Sequence, residues 1–181
     1  MDKHTEKLLK GLENKYTNLP IIPEETGNFF HILVSSIRPK NVLEVGTCIG
    51  YSAVWLAEAA QKHGGKVTTI EIDKENAGIA AENFKKANLS NIKIISGDAL
   101  KEIPKLKEKF DFLFLDAVKK DYLNYFRLME DKLIDNAVVV ADNAIMFKDK
   151  MKDYLEYVRS RYSSVLVPIG TGVEMTIKSK R

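Results

Sequence analysis

From residue 41 onward the chain alternates between short apolar runs and longer stretches of helical spacing. The runs fall at 41–45, 66–72, 92–95, 111–115 and 136–141, and the helical stretches near 51–63, 74–88, 99–108, 119–133 and 148–161. Strands separated by helices of ten or more residues cannot pair as tight hairpins. They need crossover connections, which means βαβ units and a buried parallel sheet. The last two strand-like runs break the rule. Val165-Leu166-Val167-Pro168-Ile169 and Val173-Glu174-Met175-Thr176-Ile177 are separated only by Gly170-Thr171-Gly172, too short for a helix. They are expected to pair antiparallel. The pattern therefore predicts an α/β fold: a seven-stranded, mostly parallel sheet with a reversed last strand and helices on both faces.

Two helices precede this core. Residues 2–16 carry a narrow stripe of Leu8, Leu9 and Leu12, and Leu19-Pro20-Ile21-Ile22-Pro23 ends it. Residues 24–37 form a second helix with Phe29, Phe30, Leu33, Val34 and Ile37 inward, stopped before Pro39. At 181 residues a single domain is expected over 1–181, with N-terminal helices at 1–38 and the alternating core at 41–181. A net charge of +3 is no argument for nucleic acid by itself. No apolar run is long enough for a membrane span, and the first residues lack a signal-peptide core. One cysteine, Cys48, excludes an intrachain disulfide. These features make a cytoplasmic protein the default expectation.

In open α/β sheets ligands bind at the carboxyl ends of the strands. Three such ends are chemically loaded. At the first, Gly46 and Gly50 flank the turn out of Val42-Leu43-Glu44-Val45, and Gly46 is expected to admit close backbone approach to a ligand while Gly50 packs helix on strand. The middle glycine of a dinucleotide fingerprint is replaced by Cys48, a loop filler with no histidine beside it. Glu71, ending the second strand, sits where a carboxylate grips both hydroxyls of a ribose. Glu44 adds a second negative charge, which repels phosphates and attracts a sulfonium or ammonium. Together these favour S-adenosylmethionine over NAD. Gly97-Asp98-Ala99, after the third strand, is expected to meet an adenine.

The other two ends are Asp116 and Asp142-Asn143, which close the strands at 111–115 and 136–141. Neighbouring strands would bring three oxygen ligands to one rim, a set suited to Mg²⁺ or another divalent cation. The plainer reading makes Asp116 a helix cap and Asp142-Asn143 a turn. Lys119, at the start of the next helix, opposes the helix dipole. A proton acceptor explains it, since a metal cation and a sulfonium nearby would both favour the neutral amine. His31 lies on an apolar helix face and reads as structural. Trp55, Tyr51, Phe112 and Phe114 read as core.

The segments VLEVGTCIGYSA, TTIEID, GDAL, FLFLDAVKKDY and ADN, in this order and spacing, resemble the cation-dependent O-methyltransferases that include the catechol and caffeoyl-CoA enzymes. The resemblance runs from about Ile22 to the C-terminus and implies a Rossmann-like class I methyltransferase fold. It implies a cofactor site lined by Ile22, Glu44, Gly46, Ser52, Glu71, Ile72, Gly97, Asp98, Ala99 and Asp116. Asp116, Asp142 and Asn143 match the family's metal ligands, and Lys119 its catalytic lysine. It also implies a homodimer, in which residues 2–16 could take part.

The resemblance leaves the acceptor open. No acidic residue replaces the family's grip on a second catechol oxygen; Ser163-Ser164-Val165-Leu166 occupies that region. The segment from Asn143 to Gly172 looks shortened, and the common Asp-Gly is Thr171-Gly172. Metal chelation requires vicinal oxygens, as in a small catechol-like molecule or 5-hydroxyuridine in transfer RNA. Lys148, Lys150, Lys152, Arg159 and Arg161 are compatible with a phosphate-bearing partner. Two other classes stay in view: an NAD-dependent oxidoreductase, opposed by Cys48 and the closing hairpin, and a non-catalytic cofactor-binding module, opposed by the Asp116, Lys119, Asp142 and Asn143 set.

Overall fold

The computed structural model describes residues 1–179. Its strands are β1 (Asn41–Val45), β2 (Lys66–Glu71), β3 (Ile92–Ser96), β4 (Phe110–Leu115), β5 (Leu133–Asp142), β6 (Ser163–Val167) and β7 (Val173–Lys178). The helices are α1 (Lys3–Lys15), α2 (Glu24–Ile37), α3 (Tyr51–Gln61), α4 (Lys74–Lys86), α5 (Ala99–Glu102), α6 (Tyr122–Glu130) and α7 (Lys152–Arg161). The strands form one sheet in the order β3-β2-β1-β4-β5-β7-β6. Strands β1 to β5 pair in parallel, and β7 runs antiparallel between β5 and β6. The reversed last strand expected from the short Gly170-Thr171-Gly172 connection is thus present.

The pleat divides the core into two layers. Val42, Phe112, Phe114, Val138 and Val140 face the layer packed by α1, α2, α3 and α4, while Leu43, Leu113, Leu115 and Val139 face the layer packed by α6 and α7. Alternation of near-continuous apolar strands between two helical layers is what a buried parallel sheet requires. Phe114 meets Phe30 of α2 edge-on at 4.6 Å, joining the N-terminal helices to the central strand. In α1 the side chain of Asp2 caps the amides of His4 and Thr5, and Leu9 and Leu12 are buried in the same layer. The stripe on residues 2–16 is therefore used within the chain.

Several boundaries differ from the sequence pattern. The stretch 99–108 makes only α5 and a 3-10 turn at Ile103–Lys105, because Pro104 lacks the amide an α-helix needs. Lys119–Asp121 is a separate 3-10 turn ahead of α6, and Lys148–Met151 another ahead of α7. Strand β5 starts at Leu133 instead of 136, its pairing with β4 shifting in register between Phe110 and Phe112. Strand β6 starts at Ser163 and stops before Pro168. No helix among the described residues is long and apolar enough to cross a membrane.

Candidate active site

The carboxyl ends of β1, β2, β4 and β5 open into one cleft of about 590 Å³, covered on one side by Leu19–Pro23. Ile22, Gly46, Ser52, Glu71, Ile72, Gly97, Asp98, Ala99, Asp116, Lys119, Asp142 and Asn143 all line it. Residues as far apart in sequence as Gly46 and Asn143 meet there because each parallel crossover returns the chain to the same rim.

Glu44 is the exception among the expected lining residues. It is fully buried, one residue short of the end of β1, and the pleat turns it beneath the loop. Its carboxylate accepts hydrogen bonds from Ser52 Oγ, at 2.6 Å, and Thr69 Oγ1. Burial, reinforced by the charges of Asp116 and Glu71, pushes its pKa up to about 7 despite those hydroxyls. Glu44 thus supports the loop from below and does not put a full negative charge on the wall.

Gly46 lines the cleft as expected and has a second task in the fold, while Gly50 packs against a different partner than expected. Gly46 has φ +99°, and a Cβ there would stand 2.1 Å from the carbonyl oxygen of Asp116. The close approach it permits is between the β1 and β4 loops. At Gly50, φ +85°, a Cβ would meet Phe84 at 2.6 Å, so its contact is with α4 and not with a strand. Cys48 is itself left-handed, at φ +49°, and half-buried, and burial raises its thiol pKa. Its amide donates to Glu71 Oε2 at 2.6 Å, while the amide of Asp73 donates to Glu71 Oε1 at 2.9 Å. Glu71 is locked between two backbone donors with its face toward the cleft. Asp98 caps α5 through the amide of Leu100.

At the other end of the cleft Lys119 Nζ lies 2.9 Å from Asp116 Oδ1, and 5.5 Å and 5.9 Å from the ring centres of Tyr122 and Phe147. Asp116 takes this amine instead of capping the next helix. Burial raises its pKa, opposed by Lys119. Asp142 is pushed up to about 6 by burial and by the Asp116 charge. Its Oδ1 accepts from Thr171 Oγ1 at 2.9 Å, and its Oδ2 from Asn143 Nδ2 at 3.1 Å.

No group of three or more His, Cys, Asp or Glu side chains that could hold a metal occurs among the described residues. The set at this rim is two carboxylates and an amide oxygen. The like charge of Asp116 acting on Asp142 is the electrostatic arrangement a divalent cation relieves, so these residues fit a hard cation.

Thr171 was not legible as a site residue. The register of β5 against β7, Asp142 beside Val173, places it over the end of β5. In the sequence, position 171 stands out only as the threonine in place of the family's common Asp before Gly172. The basic residues near α7 are partly engaged. Arg159 grips the fully buried Glu174 through two bonds of 2.9 and 2.6 Å, and Arg161 and Lys150 lie over Tyr157 and Phe147. His31 is held by Glu58 at 2.6 Å, a structural contact.

A family profile described as O-methyltransferase matches residues 2–174. Catechol O-methyltransferase of Niastella koreensis is 37% identical over 124 residues, covering 66% of this chain and 56% of the relative. Caffeoyl-CoA O-methyltransferase of Zinnia elegans is 31% identical over 135 residues, covering 71% and 55%. The chain thus spans little more than half the length of these curated relatives. The crystal structure of an O-methyltransferase from Bacillus cereus in complex with SAH superposes with a TM-score of 0.83 at 27% identity, covering 98% of this chain and 91% of that one.

Proposed function

This chain belongs to the O-methyltransferase family, and from that premise we propose that it transfers a methyl group from S-adenosylmethionine to a hydroxyl oxygen of an acceptor with vicinal oxygens, with Mg²⁺ or another divalent cation. The observation that carries this reading is the single cleft joining Glu71 at one end to Lys119, Asp116, Asp142 and Asn143 at the other. When bound, the cofactor supplies an electrophilic methyl group on a sulfonium and the cation supplies a Lewis acid for two adjacent oxygens.

The chain's own residues do the rest. Glu71, fixed by the amides of Cys48 and Asp73, offers its free lone pairs to the ribose hydroxyls. Gly97 to Ala99 receive the adenine, and Ile22 shields the cofactor from water. Asp116, Asp142 and Asn143 hold the cation. Lys119 Nζ takes the proton of the reacting hydroxyl, and its place between Asp116 and two aromatic rings keeps the amine at the rim.

A nicotinamide dinucleotide suits this loop poorly. The Cys48 amide that would face a pyrophosphate is already bonded to the Glu71 carboxylate. NADH binding in a fluorescence titration would revive that reading. The acceptor is a catechol-like small molecule or 5-hydroxyuridine in transfer RNA. A homodimer built through residues 2–16 would have to use the exposed face of α1, since Leu9 and Leu12 are buried. The test is a radiolabelled methyl-transfer assay on a catechol panel and undermodified transfer RNA. Activity should vanish with EDTA and return with Mg²⁺; metal-independent turnover removes the chelation step.

A further inference from the structure

We propose that Thr171 is the positioning residue that fixes the Asn143 side chain with its amide oxygen, not its nitrogen, toward the cleft. The inference rests on the divalent-cation reading above for its purpose, but its geometry stands apart from it.

The argument is an accounting of protons. The Thr171 hydroxyl has one, and it lies 2.9 Å from Asp142 Oδ1, a carboxylate oxygen that can only accept. Toward Asn143 that hydroxyl can therefore only accept, and it takes Nδ2–H at 2.8 Å. The second Nδ2 proton goes to Asp142 Oδ2 at 3.1 Å. Both amide protons are spent inside the protein, which leaves Oδ1 as the atom available to a ligand. The flipped amide would set its oxygen against a carboxylate oxygen, and the single Thr171 proton would then have two acceptors to serve. One hydrogen bond would become a repulsion and another would be lost.

The hydroxyl reaches this point because of the backbone and not the reverse. Ile145 and Met146 donate their amides to Thr171 O at 3.1 and 3.0 Å, and Ala144 donates to Gly172 O at 2.8 Å. The turn is held without help from the side chain. Asn143 is in the left-handed region at φ +70°, which sets its side chain beside Thr171. Thr171→Val therefore keeps the turn and removes both hydrogen bonds of the hydroxyl, the one it gives Asp142 and the one it takes from Asn143, and Thr171→Ser keeps the turn and both bonds.

Two measurements test this. In Mn²⁺ titrations followed by electron paramagnetic resonance, Thr171→Val should weaken binding about tenfold or more, the usual cost of losing a partner behind a metal ligand. Thr171→Ser should stay within about threefold of wild type, and SAH affinity should be unchanged in both. In metal-free protein, the Asn143 side-chain amide protons should exchange slowly with solvent in wild type and Thr171→Ser, and fast in Thr171→Val. Wild-type Mn²⁺ affinity or slow exchange in Thr171→Val overturns the proposal, as does failure of serine to rescue. Wild type that binds no Mn²⁺ while the exchange pattern holds overturns the cation reading and supports the role of Thr171 in orienting Asn143.

Discussion

Lys119 Nζ and Asp116 Oδ1 stand 2.9 Å apart across the short Ala117-Val118 link between β4 and the 3-10 turn, with side chains only 17% and 15% exposed. The amine is thus both the candidate base and the counter-charge of a carboxylate that burial penalises. Lys119→Met separates these roles. Without metal, the variant leaves Asp116 unpaired and should lose about 3 kcal/mol in urea unfolding. Methyl transfer should fall by about 10²- to 10⁴-fold. Added Mg²⁺ should restore much of the stability, because it supplies counter-charge, yet none of the rate. Full recovery of turnover by Mg²⁺ would show that Lys119 is not the proton acceptor.

Glu44 makes stability depend on pH. Its folded-state pKa is raised to about 7 from an ordinary value of 4.5, so the native state holds this proton more tightly than the unfolded chain. The stabilisation is fully present below pH 4.5 and is lost as pH rises through 7. The shift corresponds to on the order of 3 kcal/mol. Asp142 and Asp116 are also raised and act in the same direction. Glu44→Gln isolates the first contribution, because the Ser52 and Thr69 hydroxyls can turn to accept from the amide. Its unfolding free energy should fall less steeply than wild type between pH 4.5 and 8. Identical slopes would mean that Glu44 is not the group responsible.

What the sequence could and could not show follows from the kind of geometry each feature needs. Asp116, Lys119 and Asp142 were legible because a parallel crossover brings every strand back to one rim, whatever the details. Glu44 was misplaced because one step of pleat decides whether a side chain near a strand end faces the cleft or the layer below. Thr171 depended on an antiparallel register, and register is set by pairing between residues far apart in sequence, such as Asp142 with Val173, that no local pattern reports. The α5 boundary failed for a local reason that was visible, Pro104 inside the stretch expected to be helical.

Gly46 and Gly11 should respond in opposite ways to alanine. At position 46 the new Cβ would lie 2.1 Å from Asp116 O, on a backbone with φ +99° that alanine resists. The β1 and β4 loops must then part, and the cofactor and metal contacts proposed above would part with them. Gly46→Ala should lose at least tenfold in SAH affinity, read by calorimetry, and about 2 kcal/mol or more of stability. Gly11 lies inside α1 with nothing within 4 Å of a Cβ. Gly11→Ala should instead gain about 0.5–1 kcal/mol and leave SAH binding unchanged. Unaltered SAH affinity in Gly46→Ala would remove the loop-to-loop contact from the account of the site.

Arg159 and Glu174 tie α7 to β7, and the pair decides what this helix has left to offer a phosphate. Glu174 is fully buried and, among the described residues, receives only the guanidinium and the Ser164 hydroxyl. Arg159→Met strands that carboxylate and should cost about 2–3 kcal/mol, less than for a fully enclosed pair because the arginine side chain is 41% exposed. Replacing both partners by methionine should recover most of the loss, since the carboxylate's burial penalty disappears with its charge. A double-mutant cycle in urea measures this coupling. The same variant bears on the transfer RNA reading. An arginine committed to Glu174 releases no counterion from a nucleic acid, so the slope of log affinity against log salt should be the same in wild type and Arg159→Met. A slope smaller by about one would put Arg159 on a phosphate and make the ion pair an exchangeable contact.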